Sequence, residues 1–458
     1  MGTYAEFLER KAQLDGIAGF EPLWMPDFLF PFQQAMTAWA IRQGRGALFA
    51  DCGLGKGPMA LVWAQNVYKR TGKPVLLLTR LGVTEQMETE GAKFGVDAEI
   101  SRDGKIPAGV TVTNYERLER FDRDKFAGVV CDESSAIKSF DGVRRAMVTD
   151  FLRKMRYRLL ATATAAPNDF TEVGTSSEAL GYLGYTDMLG RFFTNKEKTV
   201  KAMGGKWRAS AGEQWRFKGH AEDQFWRWMA SWARAARKPS DLGFEDGAFI
   251  LPPLETRTHV VEARTVKEGT LFDVPAVGLQ EEREETRRTL TERCEKAAEL
   301  LSDADPGIAW CHLNDEGDLL ARLIPGAVQV AGSDPVEAKE ERLAAFGRGE
   351  IRALVTKPRI ASWGLNFQGC HRMTYFTDHS FEARYQAVRR CWRFGQQHPV
   401  TVDVVTTTGG KRALASLERK ATQADAMFSA LVRHMNDALA VDRSATYGKD
   451  TEVPSWAR

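Results

Sequence analysis

Ala47-Leu48-Phe49-Ala50-Asp51-Cys52-Gly53-Leu54-Gly55-Lys56-Gly57-Pro58 carries an apolar run into a glycine-rich turn and then into a stretch of helical character. The run predicts a buried strand. The glycines let the chain turn so that backbone N–H groups face one point, and a helix starting there adds its positive dipole end. Lys56 adds a full charge at the same place. A strand, glycine loop, lysine and helix in that order cradle phosphates; the plain alternative is a glycine turn without a ligand. The pattern also asks for Ser or Thr after the lysine, because its hydroxyl ligates Mg²⁺. Here that position is Gly57. Pro58 suits the first helical turn, where a missing N–H costs nothing. Gly53, Gly55 and Lys56 are therefore expected to hold phosphate with one metal ligand missing.

Outward from that loop, short apolar runs alternate with helical stretches. Strands are expected at Ala47–Ala50, Val75–Thr79, Val110–Thr113, Val129–Cys131 and Arg158–Ala161. A second series follows at Ile308–His312, Val328–Ala331, Ala353–Thr356, Met373–Phe376 and Val400–Val405. Strands alternating with helices predict parallel sheets covered on both faces, and two series predict two α/β units. The texture changes over 174–251, which holds Trp207, Trp215, Trp226, Trp228 and Trp232. Over 176–250 there are 12 basic and 9 acidic residues, a mild positive excess. We read a helical insertion there, with a helix over Phe225–Ala236. Further helices are expected over Glu281–Leu301 and Ala413–Ala440, and a loose tail after them. The expected division is 1–173, 174–255, 256–410 and 411–458.

The 458 residues are 43% hydrophobic and 27% charged, an ordinary globular balance with enough material for sizeable cores. A net charge of +2 means that a nucleic-acid binder would need a local basic groove. The six cysteines contain no CxxC pair and the seven histidines no ligand spacing, so neither a zinc site nor a disulfide framework is expected. No stretch of 18 unbroken apolar residues occurs, and residues 1–11 lack the core of a signal peptide. A cytoplasmic protein with no membrane partner is expected.

Val129-Val130-Cys131-Asp132-Glu133-Ser134-Ser135 is a strand that ends in two carboxylates. In a nucleotide hydrolase, Asp132 holds Mg²⁺ and Glu133 orients and deprotonates the attacking water. The plain alternative is that the two acids cap the next helix.

With the loop and the acidic pair in place, an ordered motif series resembles that of superfamily 2 nucleic-acid motors of the Swi/Snf-like type. Leu29-Phe30-Pro31-Phe32-Gln33 is similar to the motif whose glutamine reads adenine, a role for Gln33. Thr113-Asn114-Tyr115-Glu116 resembles a strand-end motif that touches the nucleic-acid backbone. Ala161-Thr162-Ala163-Thr164-Ala165-Ala166-Pro167-Asn168 resembles the motif that couples nucleotide state to grip. Val355-Thr356-Lys357 with Ser362-Trp363-Gly364-Leu365-Asn366-Phe367 is similar to the fifth motif, and Asp378 sits where an acid precedes the sixth. Gln386-Ala387-Val388-Arg389-Arg390-Cys391-Trp392-Arg393-Phe394-Gly395-Gln396 matches the sixth at every fixed position. Arg390 and Arg393, three apart, are expected on one helical face reaching the γ-phosphate. The plain alternative is a solvated helix face.

The resemblance spans Leu29 to Thr408. It implies two RecA-like lobes with ATP and Mg²⁺ between them. Gln33, Gly53, Gly55, Lys56 and Asp132 would bind nucleotide and metal, and Glu133, Arg390 and Arg393 would be catalytic. Thr162, Thr164, Gly364 and Gln386 would couple the lobes. Asn114, Tyr115, Lys138, Lys357, Ser362 and Trp363 would touch nucleic acid, DNA rather than RNA. The motif set is similar to helicases of tailed bacteriophages and prophages, which implies a role in phage DNA replication, recombination or repair in the host cytoplasm. A nuclease or replication protein would be a separate partner. Lys206, Arg208, Arg216, Lys218 and Arg227 among the tryptophans could grip nucleic acid, although tryptophans at helical spacing usually form core. The alternative from a different class is a nucleotide-gated nucleic-acid-binding module whose hydrolysis is slowed by Gly57. An RNA helicase is a third reading.

Overall fold

The structure is a computed structural model, and it describes residues 18–80, 83–139, 142–166, 169–195, 215–264, 279–361 and 366–446. Two all-parallel sheets organise these residues. The first unit, lobe one, contributes β1 (Arg45–Ala50), β2 (Val75–Thr79), β3 (Ala98–Ile100), β4 (Val110–Asn114), β5 (Gly128–Asp132) and β6 (Tyr157–Ala161). A small antiparallel pair follows, β7 (Phe193–Asn195) and β8 (Trp215–Phe217), and then β9 (Ala233–Ala236). The second unit, lobe two, holds β10 (Leu254–Val261), β11 (Gly307–Trp310), β12 (Ala327–Val330), β13 (Ala353–Thr356), β14 (Arg372–Phe376) and β15 (Val400–Thr407).

Strand order is β3-β4-β2-β5-β6-β1-β9 in lobe one and β10-β15-β14-β11-β13-β12 in lobe two. β1, β2, β4, β5 and β6 are buried along their whole length, as an all-parallel sheet covered on both faces requires. Parallel strands bring all their carboxyl ends to one edge, where ligands of open α/β sheets bind. Asp51, Arg80 and Thr162 follow strand ends at that edge of lobe one, and Asp132 ends β5 there. The fold class is the one expected from the two strand series.

Ten expected strands are present, and β3, β7, β8, β9 and β10 were not foreseen. The helix expected over Phe225–Ala236 ends at Trp232. Its last four residues form β9, which pairs with β1 from Ala47↔Ala233 to Ala50↔Ala236. The small alanines carry no strand signal of their own; the exposed edge of the sheet recruits them. Among its described residues, the stretch 174–251 holds the helices Tyr185–Phe192 and Ala221–Trp232 and most of Val173–Leu180, and these build on lobe one. Phe192, Phe193, Phe225, Trp226 and Trp232 share one buried cluster with Phe49 and Leu160 of the first sheet. Trp228 and Trp215 pack against that cluster, so four of the five tryptophans serve the core. Trp207, Lys206 and Arg208 lie outside the described residues.

The expected helix Glu281–Leu301 is two helices, Leu279–Arg288 and Leu290–Leu300. Thr289 Oγ1 donates to Glu285 O at 2.7 Å, a back-bond that bends helices. The last helix, Lys411–Thr446, runs beyond its expected end, and the remainder of the expected tail lies outside the described residues. Its Met427, Phe428, Leu431 and Met435 enter the core of lobe one. Among the described residues, no helix is long and apolar enough to cross a membrane.

Candidate nucleotide site

The loop after β1 turns through two left-handed glycines, Gly53 (φ 89°) and Gly55 (φ 78°), and the helix Lys56–Thr71 starts at once. A side chain at Gly55 would collide with Gln33, and one at Gly53 would meet the Phe394 backbone of lobe two at 2.8 Å. Both positions thus exclude a Cβ on conformation and on space. Lys56 Nζ donates to Ala50 O at 3.1 Å. Gln33 braces the loop from below: its Nε2 donates to Leu54 O at 2.9 Å, and its Oε1 accepts from Phe30 N at 2.9 Å. The amide expected to read adenine is therefore buried and engaged with backbone.

Asp132 and Glu133 arrive from β5. Thr79 Oγ1 donates to Asp132 Oδ2 at 3.0 Å. Burial, followed by the charge of Glu133, pushes the Asp132 carboxyl up to about 7, against the pull of Lys56 and Thr79. Glu133 has a φ of 47°, the single described non-glycine residue in the left-handed region, and its Oε2 is buried without a hydrogen-bond partner.

Lobe two closes the cleft. Lys56, Asp132 and Glu133 line one cavity together with Gln386, Arg390 and Arg393. The two arginines do not share a helical face. Their helix, Phe381–Val388, ends before them, and they sit in the turn that follows. Phe367 N donates to Arg390 O at 2.8 Å, and Arg393 donates to Asn366 Oδ1. Burial lowers the pKa of both guanidiniums, while Cys52 and Glu133 work against that for Arg390.

The tightest link between the lobes involves residues the motif reading passed over. Arg389, buried, donates through Nη2 to Asp51 Oδ2 at 2.5 Å and to Cys52 O at 2.9 Å, and Tyr385 donates its hydroxyl to Asp51 Oδ1. Arg389 stands one residue before Arg390, so only its neighbour's fame in the motif hid it. Thr164 Oγ1 donates to Glu382 Oε1 at 3.3 Å, a second bridge between lobes. Thr162 Oγ1 accepts from Thr164 N and shapes that turn. A larger apolar cavity of about 650 Å³ lies behind Asp51 and Arg389, roofed by the last helix.

The expected nucleic-acid contacts are dispersed. Asn114 and Tyr115 are each 1% exposed. Asn114 caps the short helix Tyr115–Arg120 by accepting from Arg117 N, and the Tyr115 hydroxyl donates to Asp132 O at 2.7 Å. Neither side chain reaches the surface, which corrects their expected role: the strand end points them inward. Lys357 is at the surface, with Nζ donating to Asn314 Oδ1 at 2.6 Å. Ser362, Trp363 and Gly364, and the side chain of Lys138, lie outside the described residues. Asp378 accepts from the Tyr375 hydroxyl at 3.1 Å.

Oxygen donors in the cleft suit a hard divalent cation. Glu133 Oε2 is orphaned and Asp132 is alongside. No described group of three or more His, Cys, Asp or Glu could hold a metal by itself.

No protein-family model matches the chain, and no curated protein matches it. Among solved structures, it is similar to a Sulfolobus solfataricus SWI2/SNF2 ATPase core in complex with dsDNA, at 16% identity and a TM-score of 0.40. The match covers 90% of this chain and 96% of that one. At that likeness, the reading of the cleft rests on this chain's own residues.

Proposed function

We propose that the chain is an ATP-dependent DNA translocase or helicase in which hydrolysis between two RecA-like lobes drives movement on DNA. The observation that carries this reading is the meeting of Lys56, Asp132 and Glu133 with Gln386, Arg390 and Arg393 in one cleft between the lobes. On this reading 1–173 and 256–410 are the motor lobes, 174–255 is the insertion between them and 411–458 the C-terminal helix and tail.

The loop N–H groups, Gly53, Gly55 and the Lys56 ammonium would hold the triphosphate. Asp132 would hold Mg²⁺ through water. When bound, that ion would supply neutralisation of the charge on the transferred phosphate. Glu133 would align and deprotonate the attacking water. Arg390 and Arg393 would stabilise charge that develops on the γ-phosphoryl group, a contribution worth about 10³–10⁵ in rate for such arginines. Gln33 would set the loop under the nucleotide and could offer its second amide hydrogen to adenine. The Thr162–Thr164 turn, Gln386 and Gly364 would relay cleft closure to the grip on DNA.

The grip would use Lys357 with Lys138, Ser362 and Trp363, chiefly on phosphates. Affinity should then fall steeply with salt and depend little on sequence. Service in bacteriophage DNA replication, recombination or repair, beside a separate nuclease or replication partner, is supported by motif resemblance alone. Gly57 favours a second reading, a nucleotide-gated clamp with slow turnover.

The test is a phosphate-release assay titrated with single-stranded DNA, duplex DNA and RNA. Lys56→Ala should lose nucleotide affinity, and Glu133→Gln should bind nucleotide but lower turnover at least about 10²-fold. Stimulation by DNA supports the motor; intact ATP binding with no DNA stimulation supports the clamp. Stimulation by RNA alone would overturn the DNA assignment.

A further inference from the structure

Gly57 stands where a phosphate loop ordinarily offers a hydroxyl to a metal ion, and the space over its Cα is taken by another side chain. A Cβ at Gly57 would lie 2.6 Å from Glu90 Oε2 and 3.5 Å from Met87 Cε. A hydroxyl oxygen stands one bond beyond its Cβ, so the Glu90 oxygen occupies the immediate neighbourhood of the missing group.

Glu90 comes from the helix Thr84–Phe94, which packs beside the phosphate-loop helix. One turn earlier, Gln86 Nε2 donates to Glu90 Oε1 at 2.7 Å and fixes the carboxylate. The other oxygen, Oε2, is buried and has no hydrogen-bond partner. Glu90 lines the same cleft as Lys56, Asp132 and Glu133. A buried carboxylate oxygen without a donor is costly unless a cation completes it. Arg393 is near enough to act on Glu90 electrostatically, yet it does not hydrogen-bond to Oε2.

We propose that Glu90 is the metal ligand this phosphate loop lacks, with Oε2 giving Mg²⁺ from the neighbouring helix the oxygen that Ser or Thr at position 57 would give. This rests on the reading of the cleft as a site for ATP and Mg²⁺. It also accounts for Gly57, since any larger residue would push the carboxylate aside. Replacing a hydroxyl by a carboxylate adds a negative charge. The charge strengthens the hold on a divalent ion and opposes a metal-free triphosphate.

The test uses the full chain with Mn²⁺ as the probe ion. Free Mn²⁺ is measured by electron paramagnetic resonance in the presence of a saturating β,γ-imido analogue of ATP. Binding of the same analogue without metal is measured in EDTA. In Glu90→Gln and Glu90→Ala, Mn²⁺ affinity should fall about 10-fold or more, as for lost metal-site partners, while metal-free nucleotide affinity should not fall. Adding Gly57→Thr to Glu90→Ala should recover most of the Mn²⁺ affinity. Unchanged Mn²⁺ affinity in both single variants overturns the assignment. So does an equal loss of metal-free binding, which would make Glu90 a scaffold for the loop. If the unsubstituted protein binds the analogue in neither condition, the nucleotide reading itself fails, and the Glu90 assignment with it.

Discussion

Asp132 sits at the end of a fully buried strand beside a second carboxylate, and the folded protein raises its carboxyl from 3.8 to about 7. Burial is the larger cause and the Glu133 charge the next. The folded chain therefore binds a proton there that the unfolded chain releases above about pH 4. Stability must fall as pH rises through the window between the two values, because the folded state binds more protons across it. Asp132→Asn removes that dependence. In metal-free buffer at pH 8 the variant should be more stable than the unsubstituted protein by about 1–3 kcal/mol, and the gain should vanish near pH 4. Urea midpoints measured across that range decide it; a gain independent of pH would refute the burial account. Residue identity made Lys56, Asp132, Glu133, Arg390 and Arg393 legible, because each lies in a short local motif, at or after a strand end or in the turn that follows a helix. Side-chain direction was not legible in the same way. Asn114 ends β4 and Tyr115 follows it at the right edge, yet both turn into the core, and Gln33 spends its amide on Phe30 and Leu54. Glu90 had no signal beyond the vacancy at Gly57.

Elements show the same division between local and distant causes. Continuous apolar runs announced the central strands of both sheets. β9 was read as helix because its identity is conferred by β1, far away in sequence. The turn that carries Arg389, Arg390 and Arg393 is held by Phe367, a distant partner that donates to Arg390 O, and by Gln396, which ties Cys391 O to the distant Cys370 O. Within it, Arg389 and Asp51 form a buried pair across the lobes, with side chains 4% and 14% exposed. Removing one member of a buried pair leaves the other unpaired, at about 3–5 kcal/mol. That cost falls on the closed cleft rather than on either lobe. Arg389→Met should thus lower turnover with little change in melting, and small-angle scattering should show a larger radius in the presence of nucleotide. An unaltered radius and rate would remove Arg389 from the closing machinery. Lobe two holds a contrasting pair. Arg293 donates to Glu316 Oε1 at 2.7 Å with both side chains buried, and Glu316 Oε2 accepts from His312 N and Leu313 N at the start of the helix Asn314–Leu323. Glu316→Ala should cost about 3–5 kcal/mol by urea denaturation, since Arg293 would be left charged and unpaired inside the lobe. A loss below about 1 kcal/mol, the range of an exposed pair, would contradict that burial.

At the scale of the whole molecule, the chain crosses between the lobes twice among the described residues. The first crossing is the segment between β9 and β10, where Phe249 packs on Phe394 at 4.7 Å between ring centres. The second is the helix Lys411–Thr446, which leaves lobe two after β15 and ends on lobe one. Its periodicity made it legible as a helix, but an amphipathic face does not say which core it joins. Met427, Phe428, Leu431 and Met435 settle beside Trp226, Met229 and Trp232, and Met435 Sδ accepts from Ala235 N of β9. Each fully buried side chain of this kind contributes about 1.5–3 kcal/mol. The helix is thus a strap: its start follows lobe two while its far half belongs to the core of lobe one. Cleft opening must either bend the strap or carry it along, and the apolar cavity beneath it leaves room for such movement. Leu431→Asp places a charge in a fully buried position and should loosen the far half of the strap without touching the cleft. Hydrogen exchange should then quicken in β9 and in the helix Ala221–Trp232, while β11, β13 and β14 of lobe two keep their protection. Faster exchange in lobe two, with lobe one unchanged, would place the helix in the wrong core.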